Sequence, residues 1–547
     1  MIRESEIERP RTVESSTSPT RWVQNWSPGL DHSNYEVAYD IDLDLQYHIQ
    51  HCPCTCNHLG YGNYLDYQAA CGIENENSSV VHCTLDERRT HCNGSIQRTI
   101  SRVEELNCSA AQNSYKNYEF QLRPCIIGIG VAMVIIIICL VISACISESE
   151  SDLPSSSSLG PEGRLDVVRA ILQEVPLVDG HNDLPWNLKK FVHNQLYKVN
   201  LSADLRFVEP WSKSKWSHTD LQRMKIGMVG AQFWSAFVPC ETQYKNAVTL
   251  TLEQIDVIKR FVKIYKDELE FVTSAAGVRE AHKRGRIASL IGLEGGHSLG
   301  DSLGVLRMYY DLGVRYLTLT HKCDTLWASC CVVGNNPAVL NGTGKVRGLT
   351  LFGQGIVREM NRLGMLVDLS HTSVHTMEDA LNVTRAPVIF SHASAYAICN
   401  SNRNVPDHIL KKVALNGGVV MVTFYPYFIS CDTASTMNQV IAHINHIRDV
   451  AGEDHVGLGS GYDGINYTTS GLEDVSHFPD LLNTLIVKHN WTQTQMKKLV
   501  GLNVLRVFQK VEKIRDELKN ELLPDEDTIL AHYHYKKLPH DCAVHDL

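Results

Sequence analysis

The chain lacks a basic excess. Its 51 Lys and Arg against 61 Asp and Glu leave a formal charge of −10, and nothing forms the basic stripe that a nucleic-acid backbone demands. No nucleic-acid partner is therefore expected. Apolar runs are scarce as well. A polar stretch follows Met1, so no cleavable signal peptide is expected. The last residues, HDCAVHDL, carry no apolar tail of the kind removed when a lipid anchor is attached. One run is the exception. Residues 126–144 read IIGIGVAMVIIIICLVISA without a charge, about the ~20 residues a helix needs to cross the hydrocarbon core. A buried core helix would show a polar face, and this run has none, so a single transmembrane helix is expected over 125–146.

Its orientation rests on the flanks. Lys116 and Arg123 lie upstream, while Glu148, Glu150 and Asp152 follow downstream and the next basic residue is Arg164. Counting Lys and Arg favours a cytoplasmic N-terminus, which makes the chain a single-pass type II protein of the plasma membrane with its larger part outside. Glycosylation sequons stand downstream at Asn200, Asn341, Asn382, Asn466 and Asn490, and upstream at Asn77, Asn93 and Asn107.

With 547 residues and 44% hydrophobic content, there is room for one large domain with extensions. Residues 1–124 are polar and weakly periodic. Their cluster HCPCTCNH, with Cys52, Cys54 and Cys56 between His51 and His58, suits metal binding or acylation, and equally an unstructured tail with incidental thiols. Residues 147–163 form a Ser/Pro/Gly-rich linker, 164–515 a catalytic domain, and 516–547 a C-terminal extension.

From Arg164 onward strand and helix signals alternate eight times. The strands are expected at 175–180, 227–234, 287–295, 314–321, 364–371, 386–392, 417–424 and 455–460, with amphipathic stretches such as LEQIDVIKRFVKIYKDELE between them. Short apolar strands alternating with helices imply a parallel sheet buried on both faces. Eight units predict an α/β fold, a (β/α)8 barrel with its site at the C-terminal strand ends. An open doubly wound sheet would not gather chemistry from so many strands.

The strand ends carry metal-ligand chemistry. His181 and Asp183 in VDGHNDLPW, Glu294 in SLIGLEGGH, His371 in LVDLSH and His392 in VIFSH each close an apolar run. One residue separates His181 from Asp183, so both face the same way on an extended strand. A carboxylate at Glu294, after a largely apolar run, must be paired or metal-bound to offset its desolvation. Three imidazoles and two carboxylates suit two divalent ions. His321, after the fourth strand, is placed to polarise a carbonyl or steady an oxyanion. Arg403, in NSNRNVPD, suits fork-like recognition of a carboxylate.

These motifs, with GAQFW, RYLTLTH, VIFSHASAY, RNVPD and GLEDVSHFPDLL, make residues 162–511 closely similar to the membrane (renal-type) dipeptidases, zinc peptidases of the amidohydrolase superfamily. The resemblance implies two Zn2+ per chain, with His181 and Asp183 on one ion, His371 and His392 on the other, and Glu294 bridging. It implies substrate contacts from His321 and Arg403, and dipeptides as substrates. It also implies disulfides Cys240–Cys323 and Cys399–Cys431, which need an oxidising compartment, and a homodimer linked through Cys542 near the C-terminus.

The chain departs from the resemblance at one place. Where the family has G-G-D-F-D-G, this sequence reads GSGYDG, so Gly461 stands at the first aspartate, which handles protons. Only Asp463 remains as a catalytic acid/base, and using it would take a local backbone shift. Losing such a group typically lowers rates by ~10²–10⁴-fold. Three functions are thus carried forward: a zinc dipeptidase of reduced activity, a metal-holding pseudoenzyme that serves as a cell-surface binding or adhesion protein, and another amidohydrolase-type reaction, which Arg403 disfavours.

Overall fold

The computed structural model describes residues 161–332 and 348–529, together with Met133. The membrane helix expected at 125–146 lies, Met133 apart, outside the described residues, as do the cysteine cluster at 52–56, Asn341 and Cys542. Among the described residues, no helix is long and apolar enough to cross a membrane. The chain divides into Met1–Val141 and Ile142–Leu547, and the fold below belongs to the second unit.

Nine strands form one sheet: β1 (Leu177–Asn182), β2 (Val229–Phe237), β3 (Leu269–Phe271), β4 (Ile287–Glu294), β5 (Val314–Thr318), β6 (Leu366–Asp368), β7 (Ile389–Phe390), β8 (Val419–Val422) and β9 (Val456–Leu458). Every pairing between them is parallel. Eight of them close a ring. Asp179 of β1 pairs with Leu458 of β9, and β2 pairs along β4 from Ala231 with Ala288 to Phe237 with Glu294. Helices precede or follow most strands, as the alternating pattern predicts, and the result is a (β/α)8 barrel.

The ninth strand is a correction. The stretch expected as one amphipathic helix ends at Ile264, and Leu269–Phe271 pairs with the first three residues of β4. Val257, Ile258, Phe261 and Val262 keep the helical spacing on the buried face, but Leu269 and Phe271 alternate with a period of two. A second difference is β7, reduced from 386–392 to two residues. Its ladder stops because the Ser391 amide donates to the Asp368 side chain at 2.8 Å instead of to a neighbouring strand.

The two-residue strand period sorts the core. Ala288, Leu290 and Glu294 share one face of β4, and the first two cluster with Phe233, Tyr316, Leu366 and Met421 from other strands, which makes that face the barrel interior. Ile291 and Leu293, on the opposite face, join the cluster that holds helix residues Ile255, Ile258 and Phe261. Glu294, the last interior position of β4, thus emerges at the barrel's C-terminal mouth.

Candidate metal centre

Glu294 is the hub of the mouth. Its Oε1 lies 3.0 Å from His371 Nε2, 3.4 Å from His392 Nε2 and 3.8 Å from His321 Nε2. Its Oε2 lies 3.5 Å from His181 Nε2 and accepts from Ser235 Oγ at 3.3 Å. His181 Nε2 in turn stands 3.1 Å from Asp183 Oδ2. All five residues expected as ligands are buried, and the structure brings them together with His321. Their ligand atoms fall into two groups that share Glu294: His181 with His392, and His321 with His371. His371 and His392 also approach each other, Nε2 to Nε2, at 3.0 Å.

Burial and charge act against each other here. Burial works to lower His181, yet the neighbouring Tyr316, Glu294 and Asp183 hold it well above its ordinary value. Burial would raise Glu294, but the imidazoles of His181 and His321 keep it well below the usual carboxylate range. Burial raises Asp183. It pushes His321 down to about 3, and drives His371 and His392 well below the ordinary imidazole range, helped by Arg403 and by His181 respectively. Two buried carboxylates thus face a set of mostly neutral imidazoles, which leaves positive charge in demand at their centre.

The surrounding hydrogen bonds turn the Nε2 atoms of His181 and His392 inward. Tyr316 Oη donates to the Gly180 carbonyl at 3.3 Å and stands 3.0 Å from His181 Nδ1, whose proton it accepts. Ser391 Oγ donates to Asp368 Oδ2 at 2.6 Å and stands 2.9 Å from His392 Nδ1. A hydroxyl that already donates elsewhere accepts the imidazole N–H, which turns each Nε2 toward the mouth. Outer partners of this kind fix the tautomer of metal-ligating histidines. His371 differs: its Nδ1 is buried without a hydrogen-bond partner, and Asp183 Oδ1 is likewise buried and unpartnered. An orphaned carboxylate oxygen beside imidazole nitrogens gathered on a second carboxylate fits divalent cations, zinc foremost.

Sequence patterns alone did not single out these outer partners. Tyr316 occupies an interior position that Gly292 keeps open, since a Cβ at Gly292 would collide with the Tyr316 ring. Asp368 accepts from Thr318 Oγ1, the Ser370 amide, and Ser391 through both its amide and its hydroxyl. A glycine in the middle of an apolar strand was the available signal for a close approach there.

Arg403 reaches the same mouth. It is buried, donates through Nη2 to the His392 carbonyl at 3.2 Å, and lies 5.0 Å above the Phe428 ring. Its loop is tied to the one after β8 by the Cys399–Cys431 disulfide, with Cα atoms 5.5 Å apart. Cys240 and Cys323 are also joined, at 5.9 Å, so both implied pairings are present.

Asp463 is placed differently. Its backbone is left-handed, at φ 64°. Its carboxylate accepts from Asn187 Nδ2 at 3.1 Å and from the His218 amide at 3.4 Å. Its hydrogen bonds therefore run to Asn187 and His218 rather than to the ligand cluster, and burial lifts its pKa to about 7. Gly461 donates its amide to the His181 carbonyl at 3.1 Å, with φ +77°.

Residues 165–522 match the family described as membrane dipeptidase, peptidase family M19. Dipeptidase 3 of Mus musculus is 45% identical over 348 residues, 64% of this chain and 67% of that protein. Among solved structures, dipeptidase AC, a metallopeptidase of family M19, is similar at 25% identity and a TM-score of 0.55, over 62% of this chain and 99% of that one. A metallopeptidase from Rhodobacter sphaeroides, solved with a phosphinate mimic of the dipeptide L-Ala-D-Ala, shares the fold at 24% identity and a TM-score of 0.53, again over 62% and 99%.

Proposed function

Because this chain belongs to the membrane dipeptidase family, peptidase family M19, and is a metallopeptidase by that membership, we propose that it hydrolyses dipeptides with two zinc ions at the barrel mouth. The observation that carries this reading is the convergence on Glu294 of three imidazole nitrogens from β1, β6 and β7 ends and the neighbouring carboxylate of Asp183. His181 and Asp183 would hold one ion and His371 and His392 the other, with Glu294 bridging. Bound divalent ions supply Lewis acidity and lower the pKa of water.

The chain's own residues do the rest. Arg403, fixed over Phe428 and against the His392 carbonyl, offers a guanidinium to the free carboxylate of a dipeptide. His321, neutral through burial, donates a hydrogen bond from its ring N–H to the carbonyl oxygen as that oxygen gains charge. Tyr316 and the Asp368–Ser391 pair keep His181 and His392 oriented between turnovers. At Gly461 no side chain is available to move a proton, and we place turnover below that of relatives with an aspartate there. The alternative, a metal-holding binding or adhesion protein at the cell surface, rests on that same glycine.

The same reading makes the chain a type II plasma-membrane protein anchored by 125–146, with its catalytic part outside and a homodimer linked through Cys542. A dipeptidase assay on zinc-loaded protein tests it, with metal content measured in parallel. Hydrolysis of a dipeptide by protein carrying two ions supports the proposal. Full metal occupancy with no turnover, unrelieved by Gly461→Asp, would leave the binding-protein reading.

A further inference from the structure

A second cluster with metal-ligand chemistry lies beside the first. The sulfurs of Cys240 and Cys323 and one ring nitrogen of His297 fall within 4.8 Å of one another. Three ligands about 2.0–2.3 Å from a shared ion stand no farther apart than this. The cysteines are joined as a disulfide, so the group is closed to metal in its oxidised form.

His297 carries the inference. It is buried at 2% exposure, and its Nε2 lies 2.9 Å from the Val238 carbonyl. A carbonyl only accepts, so Nε2 holds the ring proton and Nδ1 keeps a bare lone pair. That Nδ1 is buried without a hydrogen-bond partner, which is costly for a polar atom unless something else uses it. Ligating histidines are held in this manner, the outer N–H on a backbone carbonyl and the inner nitrogen free for a metal. Gly295 makes the arrangement possible, because a Cβ there would collide with the His297 ring. The cluster also touches the catalytic mouth: Cys240 Sγ is 4.0 Å from His321 Nδ1, while His321 Nε2 faces Glu294 at 3.8 Å.

We infer that Cys240, Cys323 and His297 form a redox-gated site for a thiophilic divalent cation, open only when the Cys240–Cys323 disulfide is reduced. A dithiol reductant gives two electrons to the S–S bond and leaves as its own disulfide, while its two protons pass to Cys240 and Cys323. A divalent ion then displaces both thiol protons and forms two bonds to sulfur and one to His297 Nδ1. Soft thiolates with one imidazole select zinc or cadmium over calcium or magnesium. Filling this site brings a cation close to the edge of the mouth, since Cys240 Sγ is the sulfur that faces His321 Nδ1.

Cobalt(II) serves as the probe, titrated into the full chain before and after treatment with a dithiol reductant. The expected result is one further equivalent in the reduced protein, accompanied by an intense near-ultraviolet thiolate-to-cobalt band. That increment disappears in Cys240→Ser and weakens at least tenfold in affinity in His297→Gln, whose amide still donates to the Val238 carbonyl. Thiolate signal already present before reduction, from cysteines elsewhere in the chain, is subtracted. Should Cys240→Ser not fold by circular dichroism, His297→Gln decides alone. No added cobalt on reduction, or an increment indifferent to His297→Gln, overturns the site. The readout is separate from peptidase activity, so this inference and the proposed function fail independently.

Discussion

Tyr316 Oη stands 3.0 Å from His181 Nδ1 and donates its own hydrogen bond to the Gly180 carbonyl. The pair fixes which nitrogen of His181 faces the mouth. Tyr316→Phe removes the acceptor but keeps the ring that fills the space above Gly292. Zinc affinity is expected to fall ~10–100-fold, with the fold retained. Competitive chelation against a calibrated zinc indicator measures it, and an unchanged affinity would show that His181 is oriented by packing alone.

Among the described residues, Glu294 is the only carboxylate that stands within 4 Å of all four mouth imidazoles. Glu294→Gln preserves shape and halves the acceptor capacity. Elemental analysis is expected to find occupancy of both ions reduced together. Loss of one ion with the other intact would assign Glu294 to a single site.

Gly461 and Asp463 are separable by substitution. A Cβ at Gly461 would meet Thr423 Oγ1 at 3.3 Å, and its φ of +77° disfavours side chains, although aspartate tolerates that region better than most. Gly461→Asp is expected to raise dipeptide turnover by ~10²-fold. Asp463→Asn then tests the remaining carboxylate: if it abolishes residual activity while metal content holds, Asp463 has taken over proton transfer. Unaltered protein that already turns over like its relatives, and ignores Gly461→Asp, would sink this account of the position.

Asp463 also predicts a pH dependence of stability. Burial raises its pKa from 3.8 to about 7 in the folded chain, so between these values the folded state holds a proton that the unfolded state has lost. Stability from this group therefore falls as pH rises from about 4 to about 7. Asp463→Asn should flatten that part of the curve, measured by chemical denaturation. A parallel curve for both proteins would mean that the carboxylate is ionised in the fold.

Membrane topology has a direct readout in glycans. Asn200 and Asn490 are exposed on the barrel, so a catalytic part outside the cell should carry sugar at one or both. Peptide mapping that finds glycans at Asn77 or Asn93 instead would reverse the orientation.

What the sequence determined by itself was local. Strand periodicity, the alternation with helices and the placement of His181, Asp183, Glu294, His371 and His392 at strand ends were all legible, because side-chain direction on a strand follows from a two-residue period. The closure of the ring through β2 and β4, the short ninth strand and the truncation of β7 were not, since each depends on a partner distant in the chain. The same reason explains the outer shell. Tyr316, Asp368 and Ser391 look like ordinary strand residues until the barrel sets them against the histidines. Asp463 is the clearest division between the two. The sequence left its use dependent on a local backbone shift, and a left-handed backbone with the hydrogen bonds from Asn187 and His218 engages its carboxylate in a different network. Spacing gives direction only while the backbone stays extended, and at the mouth of a barrel the tertiary contacts decide whether it does.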